Sequence, residues 1–380
     1  MSFGLQVFTF SFQRGKIYSY IYTHWRSSQM PVTAVDLFCG AGGLTCGLRQ
    51  AGIHVAAGID FDSNCQYAYE HNNDALFLHK RIQDVHGSDL QPFYPEGDIK
   101  VLVGCAPCQP FSTHTNKYKK MSTSKIDERW FLLNDFFRLV KETKPDIVSM
   151  ENVPNLEGKG IFRSFVNRLR RAGYKVSFSV VFCPDYGIPQ KRNRLVLLAS
   201  KHGKIRLEAP TYREGTYRTV RQTIAELPEI SAGGIDPIDG LHRASKLSSI
   251  NIERIRASVP GGTWQDWEES LRSPCHTKDS GKTYASVYAR MEWDKPSPTI
   301  TTEFYNFGTG RFGHPMQDRA ISLREGALLQ TFPPDYEFLP EGECSYKQVG
   351  KMIGNAVPVL LGRVIGESIL AHVNSWGGAR

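Results

Sequence analysis

Short apolar runs alternate with amphipathic stretches through the first half of the chain. TAVDLF (33–38) reads as a buried strand running into GAGG, and LTCGLRQAG then reads as a helix closed by Gly52. HVAAGID (54–60) and SNCQYAYEHN repeat the strand and helix. DIKVLVG (98–104) and DIVSMENV (146–153) predict two more strands around the helix FLLNDFFRLVKET (131–143), and KVSFSVVF and RLVLLAS (194–200) add further ones. This alternation at βα spacing makes residues 31–200 a parallel α/β sheet.

The rhythm breaks near residue 200. Gly, Pro, Thr and aromatics rise in PEISAGGIDPIDG, SVPGGTWQDW and NFGTGRFGHP, so residues 201–320 read as a smaller, irregular, β-rich domain. Helix returns in SLREGALLQTF (322–332), and residues 346–373 read as a loop plus a long amphipathic helix; residues 321–380 therefore return to the first domain. Residues 1–30 form an N-terminal extension, aromatic and polar by turns, without the apolar stretch of a signal peptide; a chain starting at Met30 is expected to keep activity. No apolar run reaches the roughly 18 residues of a membrane span.

Composition narrows the class. Hydrophobic residues make up 41% of 380, enough for a packed core, and a net charge of +8 suits a polyanionic partner without proving one. The eight cysteines are scattered, with a single CxxC and no second close Cys or His pair. That argues against a disulfide framework or a zinc site and favours a reducing, cytoplasmic setting.

Four stretches carry chemistry. VDLFCGAGG is a strand, a glycine turn and a helix start, where backbone N–H groups approach a ligand; the third glycine of the dinucleotide fingerprint is replaced by Thr45. Asp60, ending the next strand, suits the hydroxyls of a ribose. Cys105 and Cys108 lie in GCAPCQPFS: half a metal site, a redox pair, or one nucleophile beside a bystander. Cys108, on a Pro-stiffened loop at a strand's carboxyl end, is favoured as the nucleophile and Cys105 as a buried bystander. Glu151 and Asn152 end another strand. Arg192 and Arg194, at alternate positions, project to one face as a phosphate or carbonyl grip, or else form a solvated basic edge.

In this order, with GNAVP near the C-terminus, the motifs resemble the DNA cytosine-5 methyltransferase family over about residues 31–375. The resemblance implies a Rossmann-like, S-adenosylmethionine-dependent methyltransferase fold with a mixed sheet and a target-recognition domain at 201–320. It implies that Cys108 adds to cytosine C6, that Glu151 grips N3 and the exocyclic amine, and that Arg194 faces O2 with Arg192 beside it. For the cofactor it implies Phe38, Gly40, Gly42, Gly43 and Leu44 on the methionine side, Asp60 (where the family usually has Glu) and Phe61 by the ribose, and Asp84 and Val85 by the adenine. Pro107, Asn355 and Val357 complete that set.

The family acts on double-stranded DNA and rotates the target nucleotide out of the stack. Residues 112–130, polar and lysine-rich, fit a clamp on the DNA, with Gln109, Ser112, Lys117, Lys119 and Lys120 as contacts. Trp264, Trp267, Tyr305 and Phe307 are candidates to fill the gap left by the base, though core packing is the simpler role for each. The resemblance further implies a monomer, and leaves room for a restriction endonuclease acting on the same site without direct binding. One branch of the family methylates tRNA, but its Cys-Phe-Thr tripeptide is absent. A DNA-binding regulator without catalysis would require a broken site, and a redox protein would turn over a Cys105–Cys108 disulfide.

Overall fold

The computed structural model describes residues 30–107, 132–278 and 285–377. Its centre is a seven-stranded sheet: β1 (Val32–Leu37), β2 (His54–Asp60), β3 (Leu76–His79), β4 (Ile99–Gly104), β5 (Ile147–Asn152), β6 (Lys175–Phe182) and β7 (Asn193–Ser200), in the order β3-β2-β1-β4-β5-β7-β6. The central strands β1 and β5 are buried at every position, as expected of strands covered on both faces.

Two departures from the sequence reading have physical causes. β3, four residues long, was not anticipated; LFLH is too short to show a period. The sheet is also mixed, as the resemblance implies, where the βα rhythm alone reads as parallel. β7 runs antiparallel to both β5 and β6, because the segment Cys183–Arg192 is too short for a crossover.

Helices cover both faces: α1 (Gly43–Gln50), α2 (Gln66–Asn73), α3 (Gly87–Leu90), α4 (Leu132–Thr143) and α5 (Gly160–Arg171). The strand period of two divides the core. Val35, Leu37, Leu102, Val148 and Met150 pack with Phe136 of α4 and Phe165 of α5. Ala34, Val101, Val103, Ile147, Val196 and Leu198 face the other way.

The region after β7 is irregular but not β-rich. Among its described residues, 201–320 hold isolated bridges instead of strands, with the short helices α6 (Val220–Ile224), α7 (Ser249–Ala257) and α8 (Pro274–Thr277). Its dense Gly and Pro interrupt any ladder. After α9 (Leu323–Leu329), the expected loop at 346 is instead the helix α10 (Tyr346–Asn355), and Pro358, which lacks an N–H, separates it from α11 (Val359–Gly377).

α11 packs on α1 through small residues. A Cβ at Gly43 would stand 2.5 Å from the carbonyl oxygen of Val357, and one at Gly47 would collide with the carbonyl of Val359. Only glycine permits this approach, which delivers the chain's far end to the turn after β1. Tyr346–Trp376 is apolar and long enough to cross a membrane, yet 61% of its most apolar window is buried, and Leu361, Ile365 and Ile369 are core residues.

Candidate active site

The site gathers at the carboxyl edge of the parallel strands, where open α/β sheets bind ligands. β1 exits at Phe38, a bulky residue held at φ 61°, in the left-handed region that such side chains rarely enter. Gly40 and Gly42 follow with positive φ. A Cβ at Gly42 would stand 2.5 Å from Asn73 Nδ2, while one at Gly40 would meet nothing within 4 Å, so the turn is packed from behind and open in front. α1 begins at Gly43, and the N–H groups of its first turn have no acceptor inside the helix. The Leu44 side chain is core, leaving its backbone as what it offers a ligand.

Asp60 ties this turn to β2. Its Oδ2 accepts from Gly40 N at 2.9 Å and its Oδ1 from Asp62 N at 2.9 Å, with burial raising its carboxyl above the ordinary value. Each oxygen keeps a lone pair for a hydroxyl. Phe61 beside it is 61% exposed, a large apolar ring left uncovered. Lys351 of α10 bridges to Asp62 at 2.6 Å, placing α10, which ends at Asn355, against the same loop. Asp84 is exposed on a turn after β3; Val85 is buried, its carbonyl taken by Arg138 at 2.7 Å.

Beneath the turn lies Asp36. Thr45 Oγ1 donates to its Oδ2 at 2.8 Å, but its buried Oδ1 has no hydrogen-bond partner among the described residues. Burial pushes this carboxyl up to about 7, with Thr45 opposing the shift and Asp60 adding to it. An orphaned acceptor, an open glycine cradle and an oriented carboxylate fit a cofactor with an amino-acid end and a ribose.

The other half of the site comes from β4, β5 and β7. Glu151 is 2% exposed, and Arg194 Nε lies 2.7 Å from its Oε1. The contact is a buried ion pair. Cys105 Sγ lies 2.7 Å from Oε2, and Asn152 Nδ2 donates to Ala106 O at 2.9 Å. Cys105 was read as a bystander; it touches the buried glutamate instead. Pro107 is half-buried at the end of this segment.

Arg192 departs from expectation too. Its guanidinium does not join Arg194 but is buried against carbonyls, donating to Ile300 O at 2.9 Å and reaching Gly354 O and Ala356 O at 3.4 Å. Gln190, which sequence reasoning passed over, accepts from Ile300 N and donates to Gln330 Oε1, both at 2.9 Å. These two residues join β7 to the segment at 300 and the chain's end, as positioning groups. The expected joint grip fails because Arg192 is taken up by carbonyls of distant segments, while Arg194 reaches Glu151.

Cys108, Gln109, Ser112, Lys117, Lys119 and Lys120 lie outside the described residues. Buried Cys46 and Cys183 make poor competing nucleophiles, since burial pushes each thiol up to about 11. Trp264, Trp267 and Phe307 form a small core, and Tyr305 packs on Tyr346, so none stands out as a wedge.

The mixed seven-stranded sheet with helices on both faces is an α/β fold shared with solved methyltransferases. The S. pombe Dnmt2 methyltransferase superposes with a TM-score of 0.63 over 91% of this chain and 99% of its own, at 18% identity. Residues 32–371 match the C-5 cytosine-specific DNA methylase family, and the chain belongs to it. Type II methylase M.HgiDII of Herpetosiphon aurantiacus is 55% identical over 88% of this chain and 94% of its own length. Type II methyltransferase M1.HphI of Haemophilus parahaemolyticus is 33% identical over 90% and 87%. The enzyme is a DNA (cytosine-5-)-methyltransferase of the type found in restriction–modification systems.

Proposed function

We propose that the chain methylates C5 of a cytosine in a specific duplex DNA sequence, after rotating the base out of the helix, through a covalent bond between Cys108 Sγ and cytosine C6. The observation that carries this reading is the buried Glu151 carboxylate, held by Arg194 at the sheet's carboxyl edge and set by the β4–β5 register beside Cys105, three residues before Cys108 in sequence.

C5 of cytosine is too weak a nucleophile to take a methyl group unaided. Thiolate addition at C6 places electron density on C5, and Glu151, taking up a proton from solvent as the base enters, donates it to N3 and relieves the charge that develops on the ring. Arg194 keeps the carboxylate in place and faces O2. Once C5 carries the methyl group, loss of the C5 proton to water expels the thiolate and restores the aromatic ring. S-adenosylmethionine, when bound, supplies an electrophilic methyl group. Phe38, Gly40, Gly42, Gly43 and Leu44 cradle its amino-acid end, and Asp60 holds the ribose. Phe61, Asp84, Val85, Pro107, Asn355 and Val357 line the rest. Gln109, Ser112, Lys117, Lys119 and Lys120 contact the DNA, and the enzyme works as a cytoplasmic monomer beside a restriction endonuclease of the same specificity.

The test is bisulfite sequencing of DNA from cells expressing the chain, with a duplex carrying 5-fluorocytosine at the site so found. A methylated recurring sequence and a denaturation-resistant adduct lost in Cys108→Ser are expected. Methylation of tRNA with none of duplex DNA would overturn the reading.

A further inference from the structure

The register between β4 and β5 pairs Val103 with Ser149 and Gly104 with Met150, so the next residues, Cys105 and Glu151, come side by side. Strand parity puts both on one face: Val101, Val103 and Cys105 pack into the same cluster as Ile147. Arg194 arrives on that face from the other neighbour, two residues before Val196 of the same cluster. The carboxylate of Glu151 is thereby held from two sides, Oε1 by the guanidinium and Oε2 by the thiol. The backbone is held as well, since Asn152 anchors Ala106 O.

We propose that Cys105 is a positioning residue of the methyl-transfer reaction, its thiol donating to Glu151 Oε2 so that the carboxylate stays aimed at the target base before the base arrives. The proposal rests on the role given above to Glu151. A thiol suits this task because S–H is a weak donor. It fixes the orientation of a buried carboxylate and yields to the stronger N–H donors of an incoming cytosine. Glu151 is set by β5, and Cys105 continues the pairing of β4 one residue past its end, its N–H donating to Leu37 O at 3.3 Å. The CxxC spacing thus has a reading outside metal and redox chemistry: the second cysteine reacts, and the first orients the group that assists it.

The test compares Cys105→Ala and Cys105→Ser with the wild-type enzyme in steady-state methyl transfer to its duplex, with thermal unfolding measured alongside. Removing a donor to a charged group is expected to lower kcat about tenfold in Cys105→Ala, while KM for DNA and for S-adenosylmethionine stays within about twofold. Serine, which can donate from the same place, is expected to keep kcat within about threefold of wild type. Should the alanine chain not fold, Cys105→Val, of similar size and without a donor, replaces it in the comparison. Unchanged kcat in the variant without a donor, or an equal loss in serine, overturns the role of Cys105. A wild-type chain that methylates no duplex overturns the functional reading itself, and that result is visible without any variant.

Discussion

Arg194 reaches Glu151 across the antiparallel β5–β7 pair, Nε 2.7 Å from Oε1, although the two residues are not register partners. The glutamate is almost fully buried, so the arginine is what keeps an ionised carboxylate there tolerable. Arg194→Met is expected to destabilise the fold by about 3 kcal/mol, because it leaves a buried charge without its partner. Combining it with Glu151→Gln should restore much of that loss, a coupling readable from urea midpoints of the two single variants and the double. Both single variants are expected to lose methyl transfer, so stability and activity separate in the double.

Arg192 is expected to behave differently. Its guanidinium lies among Ile300 O, Gly354 O and Ala356 O, which belong to segments far apart in sequence. Arg192→Met strips donors from buried carbonyls, each of which costs about 1–3 kcal/mol when left unsatisfied. Ala356 adjoins Val357, whose carbonyl abuts Gly43, so the disturbance reaches the glycine turn. Calorimetry with S-adenosylhomocysteine should show affinity weakened about tenfold or more in this variant, whereas an arginine acting only on the target base would leave it unchanged.

The contact between α1 and α11 makes a further prediction. Gly47 has no room for a Cβ, because the carbonyl of Val359 and the backbone N of Arg363, 2.5 Å away, occupy the space. These are backbone atoms and cannot swing aside. Gly47→Ala should cost about 1–3 kcal/mol or more by overpacking, seen as a lowered thermal midpoint. Gly97→Ala is a poor control because φ is positive there, but Gly160→Ala, with open space around it, should be nearly neutral.

The strands β1, β2, β4 and β5 and the turn after β1 were legible because apolar runs and glycines report local demands. The direction of β7 was legible only through the brevity of the segment before it, and β3 was too short to carry a pattern. Glu151 and Arg194 could be named from sequence; that they meet depends on strand parity across a pairing between distant segments. The same parity, applied from β4 to β5, would have brought Cys105 to Glu151 instead of leaving it a bystander. Arg192 misled because its partners, the carbonyls of Ile300, Gly354 and Ala356, lie in segments far from it in sequence that no strand pattern reports. The helix at Tyr346–Asn355 was hidden by glycines, of which Gly350 and Gly354 are small so that Thr301 and Thr302 can lie against them.

Asp36 supplies a pH dependence whose sign follows from its surroundings. Burial raises its carboxyl from the ordinary 3.8 to about 7, and Asp60 adds to the shift while the Thr45 hydroxyl opposes it. The folded chain therefore binds this proton more tightly than the unfolded chain does. Its contribution to stability is fully present below about pH 4 and is lost as pH rises through about 7, with a slope of at most 1.4 kcal/mol per unit, roughly 4 kcal/mol in all. Asp36→Asn keeps an acceptor for Thr45 and removes the titration. Other carboxylates add their own slopes, Glu325 and Asp239 in the opposite sense because buried or half-buried arginine pairs lower them. The informative quantity is accordingly the difference between the two chains. Urea unfolding without cofactor should find Asp36→Asn gaining on the wild type by a few kcal/mol between pH 4 and pH 8. Parallel curves for the two chains would mean that Asp36 is ionised in the folded protein at little cost, with a partner for Oδ1 supplied by ordered water.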